Sequence, residues 1–327
     1  MRYLLRRLAF FVLTLWAAMT VNFALPRLMP GDPASAMMAR FHGRVNPEAI
    51  HALEVAFGVD THQSLWAQYG SYLGNTVTGH FGISLTYFPL PVSTEIAQAL
   101  PWTLGLIGVA TVMAFLAGTF IGTVSGWRRG GVVDSVVPPV FVVTSALPYF
   151  WVGMVLILLF SVMTNGLLPN DGAYDITLTP SLTPAFIGNV VQHAILPAAT
   201  ILITSIGGWI LTMRNNMVTV LAEDYVRMGR AKGLSNRRIM YQYAARNALL
   251  PNLTGFAMSL GFVVSGAILV EYVFNYPGLG YMLLNAVNNL DYPLMQALFL
   301  MITVAVLVAV LLCDFVTALL DPRTRGA

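Results

Sequence analysis

Residues 101–126 read Pro-Trp-Thr-Leu-Gly-Leu-Ile-Gly-Val-Ala-Thr-Val-Met-Ala-Phe-Leu-Ala-Gly-Thr-Phe-Ile-Gly-Thr-Val-Ser-Gly, without one charged side chain. A helix of about 20 apolar residues is long enough to cross a hydrocarbon core of about 30 Å, so this stretch predicts a membrane span. The whole chain agrees, since 57% of its 327 residues are hydrophobic and only 9% are charged, against about 25% charged in soluble domains. The alternating segments of a membrane barrel are not seen. The sequence therefore predicts an all-α integral membrane protein.

Five further uncharged runs lie at 8–25, 136–163, 194–213, 251–270 and 295–313, which gives six expected spans. The first run follows three arginines and precedes Ala34-Ser35-Ala36, so it also fits a secretory signal peptide. It is longer than the usual signal core of about 7 to 15 residues, and Pro30 and Pro33 crowd the candidate cleavage site. We therefore expect the first run to be a retained membrane anchor.

The basic residues predict the orientation of these spans. Of the seventeen, Arg27, at the outer end of the first span, and Arg40 and Arg44 fall on the outer side, while the other fourteen lie at the N-terminus, at 128–129, between 214 and 246, or after residue 322. Because cytoplasmic loops are enriched in Lys and Arg, both termini are expected in the cytoplasm. The segments 29–100, 164–193 and 271–294 then face outward.

The expected organisation has four parts: residues 1–28 hold the N-terminus and first span, 29–99 an external cap, 100–322 the remaining membrane core with a cytoplasmic loop at 222–248, and 323–327 a cytoplasmic tail. Within the cap, short helices are expected from Pro47 to Phe57 and from Ser64 to Tyr72. Gly118, Gly122 and Gly126 follow at four-residue spacing, which lets helices approach closely in lipid. We favour packing inside the chain over contact with another subunit for these glycines.

Several kinds of chemistry are disfavoured. The centres of the predicted spans carry no ionisable residue, which argues against intrinsic ion coupling. The single lysine, Lys232, precedes Gly233, so the chain lacks the usual phosphate-binding loop. The single cysteine and five scattered histidines do not form a metal-ligand pattern. A membrane enzyme using Asp32, His80 or His193 as an acid-base group remains a distant alternative, because no nucleophile with a spaced partner accompanies them.

The loop between the fourth and fifth spans reads Glu-Asp-Tyr-Val-Arg-Met-Gly-Arg-Ala-Lys-Gly-Leu-Ser-Asn-Arg-Arg-Ile-Met-Tyr-Gln-Tyr-Ala-Ala-Arg-Asn-Ala-Leu-Leu-Pro over residues 223–251. Acidic residues at its start favour a helix N-terminus, and Gly233 can end that helix in the left-handed conformation. Leu234 is expected to fold back onto Met228. Ser235 can cap a second helix that Pro251 closes or joins to the fifth span. The pattern predicts a helical hairpin, which either lies on anionic lipid headgroups or docks on another protein.

This loop resembles the cytoplasmic coupling loop of permease subunits in ATP-binding-cassette importers, specifically the oligopeptide and dipeptide permease family. The resemblance covers almost the whole chain and includes several further motifs in the same order. These are Pro30-Gly31-Asp32-Pro33, Gly79 to Ser84, Pro91-Val92, Pro101 with Thr103-Leu104, Leu196-Pro197-Ala198, Glu271 to Gly280, Asp291-Tyr292-Pro293, Asp314 and Asp321-Pro322-Arg323.

The chain departs from the family pattern at a few positions. Where importer permeases generally carry Glu-Ala-Ala before the loop glycine, this chain has Arg227, Met228 and Gly229, and Arg246 stands in place of a later proline. His80 interrupts the usual Gly-Asp-Leu-Gly, which leaves its role open. These differences put individual docking contacts in doubt while the docking role itself remains expected.

The resemblance implies a complex of two six-span permeases, two cytoplasmic ATPase domains and an external substrate-binding protein, embedded in membrane lipid and without nucleic acid. No cofactor is expected on this chain, and ATP with Mg is expected on the ATPase subunits. The substrate is left open among peptides, which we favour, oligosaccharides, and nickel or other small solutes. A stand-alone secondary carrier is a more distant alternative.

The same resemblance implies three groups of site residues. The ATPase-coupling group comprises Glu223, Asp224, Arg227, Gly229, Arg230, Ala231, Lys232, Gly233, Leu234, Ser235, Arg246 and Asn247. The residues expected along the translocation path are Thr144, Ser145, Pro148, Ser259 and Ser265, with helix-to-helix hydrogen bonding as the alternative for each. The residues expected at the external mouth, in contact with the binding protein, are Asp32, Glu271, Asn275, Tyr276 and Asp291.

Overall fold

A computed structural model describes residues 2–28, 63–265 and 267–320, and for residues 2–5, 26, 265 and 313–320 it describes the backbone alone. The described residues are mostly helical, with one isolated antiparallel bridge between Ile83 and Pro91. The helices in chain order are α1 (Arg2–Leu28), α2 (Leu65–Thr78), α3 (Val92–Thr103), α4 (Val109–Trp127), α5 (Val132–Ser145), α6 (Tyr149–Ile157), α7 (Pro184–Val220), α8 (Asp224–Ala231), α9 (Asn236–Arg238), α10 (Arg246–Phe262), α11 (Ile268–Val273), α12 (Leu279–Asn288) and α13 (Tyr292–Leu320).

Several of these helices continue through short turns of tighter or wider pitch. A π turn at Leu104–Gly108 joins α3 to α4, and another at Ile239–Ala245 joins α9 to α10. A third π turn, Leu158–Val162, extends α6, and a 3-10 turn, Val263–Ser265, extends α10. Such π turns insert one extra residue into a helix without breaking it.

Four described helical segments are long and apolar enough to cross a membrane: Arg6–Leu25, Val92–Trp127, Pro184–Val220 and Tyr292–Leu312. The count becomes five if α5 and α6, bent by 100° relative to each other, form one span. These segments confirm the prediction of an all-α integral membrane protein. They also extend the predicted second and fourth spans outward, to Val92 and Pro184.

Two predicted spans are interrupted. The third, at 136–163, breaks between Ser145 and Tyr149, where Pro148 adopts an extended conformation. The fifth, at 251–270, is α10 with its 3-10 turn, followed by a break before α11. The 17 residues of α10 span about 26 Å, slightly less than the hydrocarbon core.

The glycines at four-residue spacing form a close helix contact between α4 and α7. A Cβ added at Gly122 would lie 2.6 Å from the Ile210 carbonyl oxygen, and one at Gly126 would lie 2.5 Å from the Met217 Cβ. Gly118 meets Trp209 and the Ile206 carbonyl in the same way. The expectation of packing inside the chain is confirmed, because only glycine permits these backbones to approach so closely.

The first span is attached to the core by few polar contacts. In α1, Asn22 donates from Nδ2 to the Gln296 carbonyl at 2.7 Å. Thr20 shares a 2.8 Å hydrogen bond with the Tyr69 hydroxyl in α2. The predicted helix from Ser64 is confirmed, since Ser64 caps α2 by accepting from Ala67 N at 3.3 Å. The expected helix at Pro47 to Phe57 lies outside the described residues.

Candidate functional site

The loop between α7 and α10 forms the predicted helical hairpin. Gly233 follows α8 with φ of +73°, and its N–H donates to the Arg230 carbonyl at 3.0 Å. The Leu234 N–H reaches back to the Gly229 carbonyl at 3.3 Å. These two bonds satisfy helix-end carbonyls and are the Schellman arrangement, which favours glycine at this position. Leu234 thus lies over Gly229. The sequence had predicted that it would fold onto the neighbouring residue, Met228.

The second arm of the hairpin begins where it was predicted. Ser235 has an extended backbone, and its side chain accepts from the Arg238 N–H at 3.4 Å. From there α9, the π turn and α10 run on as one helix, with Pro251 inside it. Pro251 therefore joins the hairpin to the membrane helix instead of closing it.

The hairpin is seated on the cytoplasmic ends of α4 and α7 by an apolar cluster. Met213 and Met217 of α7 pack with Met240, Ala244 and Ala248 of the second arm. Val226 in α8 is buried as well, and the Arg230 guanidinium lies 5.9 Å from the centre of the Trp127 ring. Because close-packed apolar side chains transmit displacement, we expect the hairpin and these helix ends to move as one rigid body.

The face of the hairpin that points away from the membrane helices is exposed and carries more basic than acidic residues. Of the twelve predicted coupling residues, Gly229 is buried and Leu234 is half-buried. The exposed ones are Glu223, Asp224, Arg227, Arg230, Ala231, Lys232, Gly233, Ser235, Arg246 and Asn247. Asp224 and Arg227 form an exposed ion pair at 3.6 Å. The apolar Met228 is 57% exposed on the same helix, so this face mixes charge with unpaired apolar surface, as protein interfaces do.

An ion pair that the sequence did not reveal ties α5 to α7 beside the hairpin. Arg214 donates to both carboxylate oxygens of Asp134, from Nε at 2.7 Å and from Nη2 at 2.9 Å. The Gly130 N–H adds a third bond to this carboxylate at 3.0 Å. Two parallel bonds fix the relative orientation of both groups. The sequence offered one clue: Asp134 lies just before the uncharged run 136–163, and Arg214 lies just after the uncharged run 194–213.

A cavity of about 410 Å³ opens between the membrane helices. The lining residues with a polar group are Thr111, Tyr149, Ser205, Trp209 and Ser259. The remaining lining residues are Ile107, Ile201, Phe262, Val263, Ala267, Ile268, Leu269 and Val270. Ser259 is the predicted path residue that the structure places here.

The other predicted path residues have different surroundings. Thr144 donates from Oγ1 to the Ile203 carbonyl at 3.0 Å, which is the helix-to-helix hydrogen bond of the alternative interpretation. Ser145 donates to the Phe141 carbonyl at 2.7 Å, and Pro148 begins α6 at the break. The side chain of Ser265 lies outside the described residues. The lining residues Thr111, Ser205 and Trp209 were missed, because their positions along uninterrupted apolar runs give no local clue.

On the outer side, Glu271 is buried and organises the segment between α11 and α12. It accepts from Thr103 Oγ1 at 2.8 Å and from the N–H groups of Gly280 and Tyr281 at 2.7 and 3.1 Å. Burial raises the pKa of the Glu271 carboxyl, an effect that these hydrogen bonds oppose. Burial together with the nearby Glu271 charge raises the pKa of Tyr276 to about 12.

A second buried carboxylate holds the loop before α3. Asp291 accepts from Ser84 Oγ at 2.5 Å, from Thr86 N at 2.8 Å and from Leu294 N at 3.2 Å. The sequence predicted that Glu271, Tyr276 and Asp291 contact a binding protein directly. That prediction is wrong, because all three are buried within the chain. Carboxylates that accept several internal bonds instead fix the shape of the outer loops.

The remaining external residues differ from these. Asn275 is exposed, with φ of +45°, and donates to Asp171 at 2.7 Å. Asp32 lies outside the described residues. His80 is exposed near the end of α2 and shares a 2.9 Å hydrogen bond with Thr78. The described residues contain no cluster of three or more His, Cys, Asp or Glu side chains arranged to hold a metal ion.

The helical membrane architecture, the seated hairpin and the cavity between the helices define a multi-pass membrane protein. The chain belongs to the family described as binding-protein-dependent transport system inner membrane component, which matches residues 118–326, and its N-terminal counterpart matches residues 1–106.

Individual relatives align over nearly the full length. The di/tripeptide transport system permease protein of Pseudomonas aeruginosa is 35% identical, covering 99% of this chain and 98% of the relative. The dipeptide transport system permease protein of Lactococcus lactis is 31% identical, with 99% of each chain covered. The oligopeptide transport system permease protein of Bacillus subtilis is 32% identical, with 98% of each covered.

Proposed function

We propose that the chain is a permease subunit that imports di- and oligopeptides and forms half of their path across the membrane. The relatives that align over nearly the whole chain are named di/tripeptide, dipeptide and oligopeptide permeases, which supports the peptide as substrate. The observation that carries the coupling role is the hairpin, which is fused to the membrane helices on one side and exposed on the other.

The proposed complex contains a second permease, two ATPase domains and an external binding protein. ATP and Mg bind on the ATPase subunits, and this chain performs no hydrolysis. The absence of a phosphate-binding loop in its sequence supports that division. In the proposed complex the binding protein lies on the outer face of the bacterial inner membrane and the ATPases lie in the cytoplasm.

In the proposed mechanism the exposed face of α8 and the turn at Gly233 dock on an ATPase. Closure of the two ATPases displaces the hairpin, and the cluster around Met213, Met217 and Met240 passes that displacement to α7. The glycine contacts between α4 and α7 require α4 to follow. Packed elements with two discrete arrangements are the usual basis of such switching.

The experiment that tests this proposal measures ATP hydrolysis by the complete reconstituted complex with its binding protein. The binding protein is supplied empty, loaded with a tripeptide, or loaded with an oligosaccharide. We expect several-fold stimulation by the peptide-loaded form alone. Stimulation by the oligosaccharide-loaded form alone would overturn the peptide assignment, and hydrolysis that no loaded form changes would overturn the coupled importer.

A further inference from the structure

The cavity is bordered by the middle of two long helical segments. Ile107 and Thr111 flank the middle of the 36-residue helical segment Val92–Trp127. Ile201 and Ser205 flank the middle of the 37-residue segment Pro184–Val220. Both segments are long and apolar enough to span a membrane, and the wall that they share lies near the middle of each.

Two helix breaks converge on this cavity. Tyr149, the first residue of α6 after the 100° bend, lies in its wall. Val263 and Ala267, on either side of the interruption between α10 and α11, line it as well. Non-helical backbone at membrane depth is tolerated where it is covered by protein or lines a water-filled cavity. Two independent breaks at one open cavity favour contact with water.

The cavity is lined by uncharged residues. None of the cavity-lining residues that the structure describes carries a charge. The Ser205 hydroxyl donates to the Ile201 carbonyl at 2.6 Å, and the Ser259 hydroxyl donates to the Phe256 carbonyl at 2.8 Å. Since each hydroxyl has one hydrogen, both oxygens keep acceptor positions that these bonds do not use. A ligand with N–H donors and apolar groups matches this wall.

We propose that this cavity is the midplane section of the substrate path and that its uncharged, acceptor-lined wall admits peptides whatever the charge of their side chains. Peptide backbone N–H groups meet the oxygens of Ser205 and Ser259, and apolar side chains meet Tyr149 and Trp209. The volume of about 410 Å³ falls within the range of about 300 to 1,000 Å³ of small-molecule sites. The identity of the ligand as a peptide rests on the proposed function.

The test places a charge in the cavity and asks whether transport becomes charge-selective. Complexes carrying Ser259→Asp, Ser259→Lys or the neutral Ser259→Asn are reconstituted, and uptake of acidic, neutral and basic tripeptides is compared. At an effective dielectric constant of about 20, a unit charge about 12 Å away changes an equilibrium about tenfold. We expect Ser259→Asp to lower acidic against basic uptake by about that factor, Ser259→Lys to reverse the preference, and Ser259→Asn to leave it unchanged.

Ser205→Asp, on α7 instead of α10, is the second variant and should shift the preference in the same direction as Ser259→Asp. Ser181→Asp, in the outer segment, is the control for an added charge outside the cavity and should leave the preference unchanged. If assembled cavity variants change all three peptides equally, the proposal is overturned.

A separate measurement distinguishes this failure from failure of the proposed function. Ser259→Cys is prepared in a chain whose natural Cys313 is replaced by alanine, and it is treated with a charged, water-soluble thiol reagent. We expect labelling in the assembled complex and protection when the loaded binding protein is present. No labelling in any state would mean that lipid or the partner subunit fills the cavity, which would overturn the inference. If the Ser259→Cys complex is labelled but the wild-type complex imports no peptide, the peptide assignment alone would be overturned.

Discussion

At the scale of single residues, Gly233 decides the shape of the coupling hairpin. Its positive φ and its N–H bond to Arg230 are both incompatible with proline, which fixes φ near −65° and has no N–H. We expect Gly233→Pro to abolish the stimulation of ATP hydrolysis by a loaded binding protein, as measured on the purified complex.

The matched control is Gly233→Asn, because asparagine tolerates the left-handed conformation and retains the N–H. No atom lies within 4 Å of a Cβ built at this position, so the asparagine side chain has room. We expect this variant to stay stimulated. A Gly233→Pro complex that assembles and is still fully stimulated would show that the hairpin does not transmit the signal.

Residue patterns predicted some features of the site and missed others for a physical reason. Gly233 and Ser235 were found because a left-handed turn and an N-cap each depend on one residue and its immediate neighbours. The burial of Glu271 and Asp291 was missed because their partners, Thr103 and Ser84, are distant in sequence. Local patterns do not show which donors the fold brings to a carboxylate.

At the scale of helices, the contact between α4 and α7 depends on having no side chain at Gly122. An alanine there meets the Ile210 carbonyl oxygen and the Met213 Cβ at 2.6 and 2.8 Å, and the backbone oxygen can withdraw only if the helices separate. Overpacking of this kind costs about 1–3 kcal/mol. We expect Gly122→Ala to lower the thermal unfolding midpoint of the purified chain in detergent.

The control is Gly208→Ala in α7, where nothing lies within 4 Å of the added Cβ. Alanine favours a helix by up to about 1 kcal/mol over glycine, so this variant should unfold at the same temperature or slightly higher. Equal midpoints for the two variants would contradict the packing argument.

The ion pair between α5 and α7 can be measured by a double-mutant cycle. With Asp134→Asn, Arg214→Gln and the double variant, we expect an interaction energy of about 1–3 kcal/mol, because the Asp134 side chain is 5% exposed and is held by two parallel bonds. The readout is unfolding of the purified chain in denaturant.

The exposed pair of Asp224 and Arg227 serves as the control cycle. Its side chains are 96% and 69% exposed and lie 3.6 Å apart, and exposed pairs of this kind often contribute nothing measurable. A similar coupling for the two pairs would show that the Asp134–Arg214 contact does not join the helices.

Helix existence was predictable from apolar runs, whereas the helix ends were not. The segment from Val92 to Leu100 contains Ser93, Thr94 and Glu95, so it resembles a loop by composition. It is helical because Val92 and Ala99 pack into an outer apolar cluster with α12 and α13. The break before α6 carries a local cue in Pro148, while the break after Ser265 has no proline and was missed.

At the scale of the whole molecule, the distribution of basic residues predicts an orientation that labelling can check. In a chain with Cys313 replaced by alanine, Ser181→Cys should react with an impermeant thiol reagent on intact spheroplasts. Ser235→Cys should react only after the membrane is permeabilised. The reason is that cytoplasmic segments retain the Lys and Arg excess. The reverse accessibility would invert the proposed topology and remove the hairpin from the ATPases.

The second arm of the hairpin and the cavity wall belong to one unbroken helical run, from Asn236 to Ser265. At 1.5 Å per residue its 30 residues would reach about 45 Å, so in the proposed mechanism it would act as a lever between the hairpin and the cavity wall. A rotation of about 5° at one end would carry the other by about 4 Å, since displacement is the product of angle and this length. Closure of the ATPases and the change of shape at the cavity would then occur together, without a separate step between them.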